Sequence, residues 1–206
     1  MNKSWNEVTI NDYKRLMEIS ERELDSDIEK SVGYLSVLMG VSEKEVWNRS
    51  ITELKGMLKD IEWLKDPYTF DKNWKSNHIV INEQKYDVVV DINKFTVAQY
   101  ADFQIYWSHR LEPEYMGKLL SCFIIPHKKK YNDGYDVLEL IDTLEDTISV
   151  NTYNSICFFF LRDCAYSIKA SLLYSRYLMM KMKWKMDKEK YRKIEDQLRT
   201  LTGTMI

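Results

Sequence analysis

The residues with the most chemical promise lie in one short run, FIIPHKKKYNDGYD, residues 123–136. An apolar stretch stops at a proline, a histidine and three lysines follow, and an Asn-Asp-Gly turn comes next. Lysine beside an aromatic ring is the chemistry that grips phosphates and stacks on bases. Lys128, Lys129 and Lys130, next to Tyr131, are therefore the candidate polyanion contact. A second run, KMKWKMDKEKYRK, interleaves lysines with Trp184 and Tyr191. Lysines also flank the buried seam of packed helices, and both aromatics fall in such a seam, which favours packing over nucleic-acid contact there.

Catalytic patterns are missing. His78, His109 and His127 have no HExxH or ExxH spacing, and the cysteines have no CxxC pair, so no metal site is expected. The carboxylates of DTLEDT, residues 142–147, repeat at helical spacing without a histidine or basic partner and read as a solvated helix face. Cys122 lies in an apolar run, and GxSxG, Walker and GxGxxG patterns are absent. No catalytic residue and no cofactor is expected, and the chain reads as a non-enzyme.

The elements that would hold these residues follow from period and punctuation. The chain has 206 residues, 45% apolar and 30% charged, with a net charge of −2. That composition describes a globular protein with a sizeable core and no generic affinity for polyanions. With only 6 Gly and 3 Pro, long helices are favoured over a turn-rich sandwich or barrel. Three cysteines are too few for a disulfide framework, and a reducing compartment is expected. Cys157 and Cys164 would share a helix face about 10 Å apart, too far to bridge. No apolar window approaches the roughly 20 residues of a membrane span, and no signal peptide is expected.

Residues 1–66 read as a helical subregion. Ile10, Tyr13, Leu16 and Met17 mark a helix over 10–19, and Ser26 opens a second that carries Ile28, Val32, Leu35 and Leu38 and stops at Gly40. SEKE and SITE are capping boxes, and the last helix of the group should run to about Lys65 before Asp66-Pro67. The remainder, 67–206, changes period first. HIVI, then NEQK, then YDVVVDI predicts a hairpin around a four-residue polar turn. A lone hairpin is marginal in water, so it must rest on helices, join another sheet or pair with a neighbouring subunit. Thr96 then caps a helix with Gln99 at the capping-box position and Val97, Tyr100, Ala101 and Ile105 in helical spacing. A further helix covers 114–124. Asp136 caps another, with Val137, Leu138, Leu140, Ile141 and Leu144 on its buried side.

From Val150 to Thr202 there is neither Gly nor Pro, which predicts a long C-terminal helix. Its heptad-like seam runs through Tyr166, Ala170, Leu173, Tyr177, Met180, Trp184 and Tyr191 to Leu201. Large apolar side chains there exceed what one helix face buries, so Tyr166, Leu173, Tyr177, Met180, Trp184 and Tyr191 are the candidate partner contact. The fold expected is mainly α-helical, with one β-hairpin and this long C-terminal helix.

The order of parts from Tyr86 to Leu161 carries a resemblance. A strand ends in Asp and a Thr-capped helix with Gln-Tyr and Asp-Phe follows. Next come an apolar stretch closed by Pro, a lysine loop with Tyr-Asn-x-Gly-Tyr-Asp, and a helix pair ending in consecutive phenylalanines. This resembles small virion and tail-assembly proteins of tailed bacteriophages, especially those of crAss-like phages. The resemblance implies a non-enzymatic virion protein made in the bacterial host cytoplasm. Its role would be as cargo of capsid or tail, as a ring between head and tail, or as a transient tail-assembly chaperone. The partners it implies are other phage structural proteins or further copies of the chain. Nucleic acid is a secondary partner, and a nucleic-acid-associated helical protein is the alternative reading.

Overall fold

The computed structural model describes residues 4–23, 26–67, 71, 74 and 76–164. By its contacts the chain divides into two units, residues 1–160 and 161–206. In the second, the described residues, 161–164, are helical. The protein is mainly α, with a small antiparallel sheet, as the composition and periodicity predict.

Local signals place the first helices. Thr9 caps α1, Ile10–Glu21, by accepting from the Asp12 amide at 3.1 Å. Ser26 caps α2, Asp27–Met39, which ends at Gly40 with φ 66°, a left-handed conformation that a side chain would strain. Both expected capping boxes form. Ser42 and Glu45 open α3, Glu43–Trp47, and Ser50 and Glu53 open α4, Ile51–Asp60. Beyond Asp60 the chain tightens into a 3-10 turn, Glu62–Lys65, so the expected helix to Lys65 is α-helical only to Asp60. These helices enclose a core of Leu16, Ile19, Val32, Leu35, Leu38 and Val46. Ile28 is the exception to the expected apolar face of α2, being 55% exposed.

The hairpin differs from its expected register. Strands β1, His78–Ile81, and β2, Gln84–Val88, pair antiparallel across two residues rather than four. Asn82 (φ 48°) and Glu83 (φ 65°) both take the positive φ that a twisted two-residue hairpin requires. The shorter turn moves Gln84 and Lys85 from loop into strand. A third strand, β3, Ile124–Pro126, then pairs with β2, so the sheet order is β1-β2-β3. Proline ends β3 on a sheet edge, where its missing N–H costs no ladder bond.

Between β2 and β3 lie α5, Val97–Ser108, and α6, Pro113–Phe123. Helix α6 is central. From Met116 to Pro126 every residue except Lys118 is buried. It packs on α1, on α5, on β3 and on α7, Val137–Thr147. At Gly117 a Cβ would run into the side chain of Glu145 on α7, so glycine sets how closely these two helices approach. Glu145 itself pairs with Lys14 of α1 at 2.5 Å, and Asp146 Oδ1 accepts from the Asn11 side-chain Nδ2 at 2.9 Å. Two of the three carboxylates of 142–147, Glu145 and Asp146, thus have partners that spacing along their own helix did not reveal. On α7, Leu140 and Leu144 are buried as expected, but Leu138 is 72% exposed.

Helix α8 starts at residue 150, and residues 150–160 of it belong to the first unit. Its start is stitched to the N-terminus: Val150 N–H donates to Val8 O (2.9 Å) and Ile10 N–H to Ile148 O (3.0 Å). Phe160 reaches an aromatic cluster, with ring centroids 4.8 Å from Phe103, 5.0 Å from Phe123 and 5.6 Å from Trp107. Such pairs add about 0.5–1.5 kcal/mol each beyond burial. Phe123→Ala should therefore cost about 3–5 kcal/mol by urea denaturation, and Leu138→Ala within about 0.5 kcal/mol. Equal effects would contradict this packing.

Candidate functional site

The lysine run opens directly from β3, and its shape follows from three anchors. His127 N–H continues the ladder by donating to Lys85 O at 3.0 Å. Lys128 takes φ 64°, and Lys129 N–H closes a turn onto Pro126 O at 2.9 Å. Lys130 and Asp133 then bridge, with Asn132 (φ 57°) and Gly134 (φ 75°) turning the chain. His127 through Lys130 are all exposed. The three lysines are therefore presented to solvent, with Asp87 and Asp133 close to them.

His127 has a partner that sequence reasoning missed. Its Nδ1 lies 2.8 Å from Asp87 Oδ1, and the Lys128 amide donates to the other carboxylate oxygen at 3.3 Å. Desolvation pushes the Asp87 carboxyl up. The hydrogen bonds from His127 and Lys128 and the charges of His127 and Lys85 outweigh it, so the carboxyl is held below the usual aspartate range. The two side chains are 37% and 38% exposed, so the pair fixes the loop while contributing little stability. No local signal could have found this contact, because the partners are 40 residues apart.

One residue on, the loop turns inward. Tyr131 is buried and its hydroxyl donates to Asp102 Oδ2 of α5 at 2.8 Å, with Cys122 Sγ 3.8 Å away. Burial pushes the Tyr131 phenol far up, and the Cys122 thiol up to about 12. A thiol held protonated at neutral pH is a poor nucleophile. The Asp102–Tyr131–Cys122 row is thus a strut joining loop, α5 and α6. Gln99 adds a second tie, donating from Nε2 to Cys122 O at 2.7 Å while its Oε1 accepts from the Thr96 amide at 3.2 Å. Among the described residues no three His, Cys, Asp or Glu side chains converge as metal ligands.

These ties decide how α5 is turned. Gln99 and Phe103 face inward, and the expected apolar row faces out. Val97 is 88% exposed, Ile105 56%, Tyr100 41%, and Leu111 beyond the helix end 86%. Ala101 lies exposed between them. The only charged side chain on α5 is Asp102, and its carboxylate is held by Tyr131. The result is an uncharged, mostly apolar helix face in water. The sequence showed the row, but only the inward pull on Gln99 and Asp102 settles which face is buried.

The candidate contact residues Tyr166, Leu173, Tyr177, Met180, Trp184 and Tyr191 lie outside the described residues. No described helix is long and apolar enough to cross a membrane. Compared with protein-family models, with curated proteins and with solved structures, the chain gives no significant match.

The depressed Asp87 carboxyl contributes stability that is present above the ordinary aspartate pKa of about 4 and lost as pH falls through the lower folded value. Asp87→Asn should be less stable than the parent at neutral pH by under about 1 kcal/mol. In urea titrations between about pH 6 and about pH 2 that gap should close toward the acid end. A gap independent of pH would rule out the carboxylate as its source.

Proposed function

We propose that this chain is a non-enzymatic structural or assembly component of a tailed-phage particle and works by protein–protein contact. The observation that carries the contact reading is the exposed α5 face. Val97, Tyr100 and Ile105 of α5 stand in water, and no charged side chain lies among them on that helix face. Scattered apolar residues need no explanation, but a continuous row on one helix marks a surface that another protein covers. The virion setting comes from the resemblance over Tyr86–Leu161. Cys122, whose thiol burial pushes up to about 12, offers no ready nucleophile.

Contact through an uncharged helix face depends on burial and so resists salt. Contact of Lys128, Lys129 and Lys130 with nucleic acid would weaken steeply as salt rises. The exposed lysines keep that second reading in play. Asp87 and Asp133 beside them reduce the local positive field.

The test is a pair of α5 variants in the infected host. Val97→Asp and Ile105→Asp change exposed positions, so the fold should survive, as circular dichroism would show. Their copy number in purified particles, measured by mass spectrometry, should fall at least tenfold against the parent. Normal incorporation of both would remove the α5 face from the reading. Finding the parent chain in particles excludes a purely transient chaperone, and a copy number matching a ring favours the head–tail role over loose cargo.

A further inference from the structure

Strand β2 sends neighbouring side chains to opposite faces of the sheet. Asp87 goes to the lysine loop. Tyr86 goes to the other face, where a cleft of about 300 Å³ opens between the sheet and the first turns of α7. Gln84, Tyr86 and Pro126 form the sheet side, and Tyr135, Asp136, Glu139 and Leu140 the side opposite. Pro126 and Leu140 are buried, so the floor is apolar beneath a polar rim.

The charge of this cleft has one sign. Asp136 and Glu139 line it, and no Lys, Arg or His does. The N-terminus of α7 opposes them with the equivalent of about half a positive charge. Two carboxylates against half a charge leave the site clearly negative. Asp136 is partly committed, since its Oδ1 accepts from the amides of Leu138 (2.8 Å) and Glu139 (3.3 Å). The Glu139 carboxylate has no hydrogen bond or ion pair among the described residues.

Acidic residues alone would not define a site. Tyr86 supplies the independent observation. It is only 6% exposed, it lines the cleft, and its hydroxyl has no hydrogen-bond partner among the described residues. Glu139 lines the same cleft, and its charge adds to burial in pushing the Tyr86 phenol pKa up. The ring is buried while the hydroxyl opens into the cleft, so a ligand N–H can replace water on its oxygen. Two tyrosines beside a free carboxylate are also the surroundings that favour an organic cation, by ring face as well as by charge.

The geometry points to this cleft as a binding site for one alkyl-guanidinium or alkyl-ammonium group, the size of an arginine or lysine side chain. Its charge pairs with Glu139, its N–H donates to the Tyr86 hydroxyl oxygen, and its alkyl stem lies on Pro126 and Leu140. The site is on a different surface from the α5 face, and neither reading depends on the other.

The experiment uses the full chain, isotope-labelled, titrated with Nα-acetyl-arginine amide while amide shifts are followed by NMR. The uncharged isostere Nα-acetyl-citrulline amide is the control, and spermidine is a second cation. Arginine amide should shift residues 84–86, 135–136 and 139–143, and citrulline amide should not. Glu139→Gln, at an exposed position, should weaken binding about tenfold, and Tyr86→Phe by a similar factor. Thermal unfolding of both variants shows that they remain folded, and the Glu139→Gln result decides the matter if Tyr86→Phe does not. Tighter binding of arginine amide than spermidine assigns the cation to a protein side chain, and the reverse order to a free polyamine. Equal response to citrulline amide, shifts elsewhere on the surface, no shifts at all, or undiminished binding by Glu139→Gln would each overturn the site.

Discussion

Burial of one continuous segment, Met116 to Pro126, organises the first unit. It begins as the last turns of α6 and leaves as β3, and only Lys118 escapes the interior. Helices α1, α5 and α7 take their places against α6, and β2 takes its place against β3. A segment buried on all sides must satisfy its own backbone. Inside α6 the helix does so. Where the helix ends, the carbonyls of Cys122 and Phe123 are met by Gln99 Nε2 and the Val89 amide, and the sheet ladder takes over. The switch from helix to strand at Ile124 is thus held by partners distant in sequence.

Two surfaces follow from this arrangement. Because β3 pairs with β2, the chain after Pro126 must emerge beside Lys85 and Asp87, and the lysine loop is clamped there. Because Cys122 O takes Gln99 and the buried Tyr131 takes Asp102, α5 is rotated with those residues inward. Both ties draw polar side chains toward α6, and the row from Val97 to Ile105 is left outside as a consequence. A buried amide without its partner costs more than an exposed apolar side chain, so the polar ties prevail.

The run Phe123–Asp136 therefore has a divided character. Its first four residues are sheet and core. The next four are a solvated basic tip. Tyr131 is a buried strut, and Tyr135 and Asp136 form part of the wall of an acidic cleft. Composition alone shows a basic loop, whereas in space cationic and anionic parts lie on different sides of the sheet. The alternation of β2, Tyr86 to one side and Asp87 to the other, separates them.

The amino-acid sequence by itself determined the helices with local punctuation: the caps at Ser26, Ser42, Ser50, Thr96 and Asp136, the stop at Gly40 and the presence of a hairpin. These depend on hydrogen bonds and φ preferences within three or four residues, so they are legible without knowledge of the fold. It did not determine the hairpin turn length, the third strand, the outward face of α5, or the partners of His127, Glu145 and Asp146. The tertiary structure decided these, because each is a contest between groups far apart in the chain. The strand at 124–126 needs β2 as neighbour, and His127 needs a carboxylate 40 residues away. Helical period identified the apolar row of α5 but carries no information about which polar residues must be buried, and that requirement turned the helix.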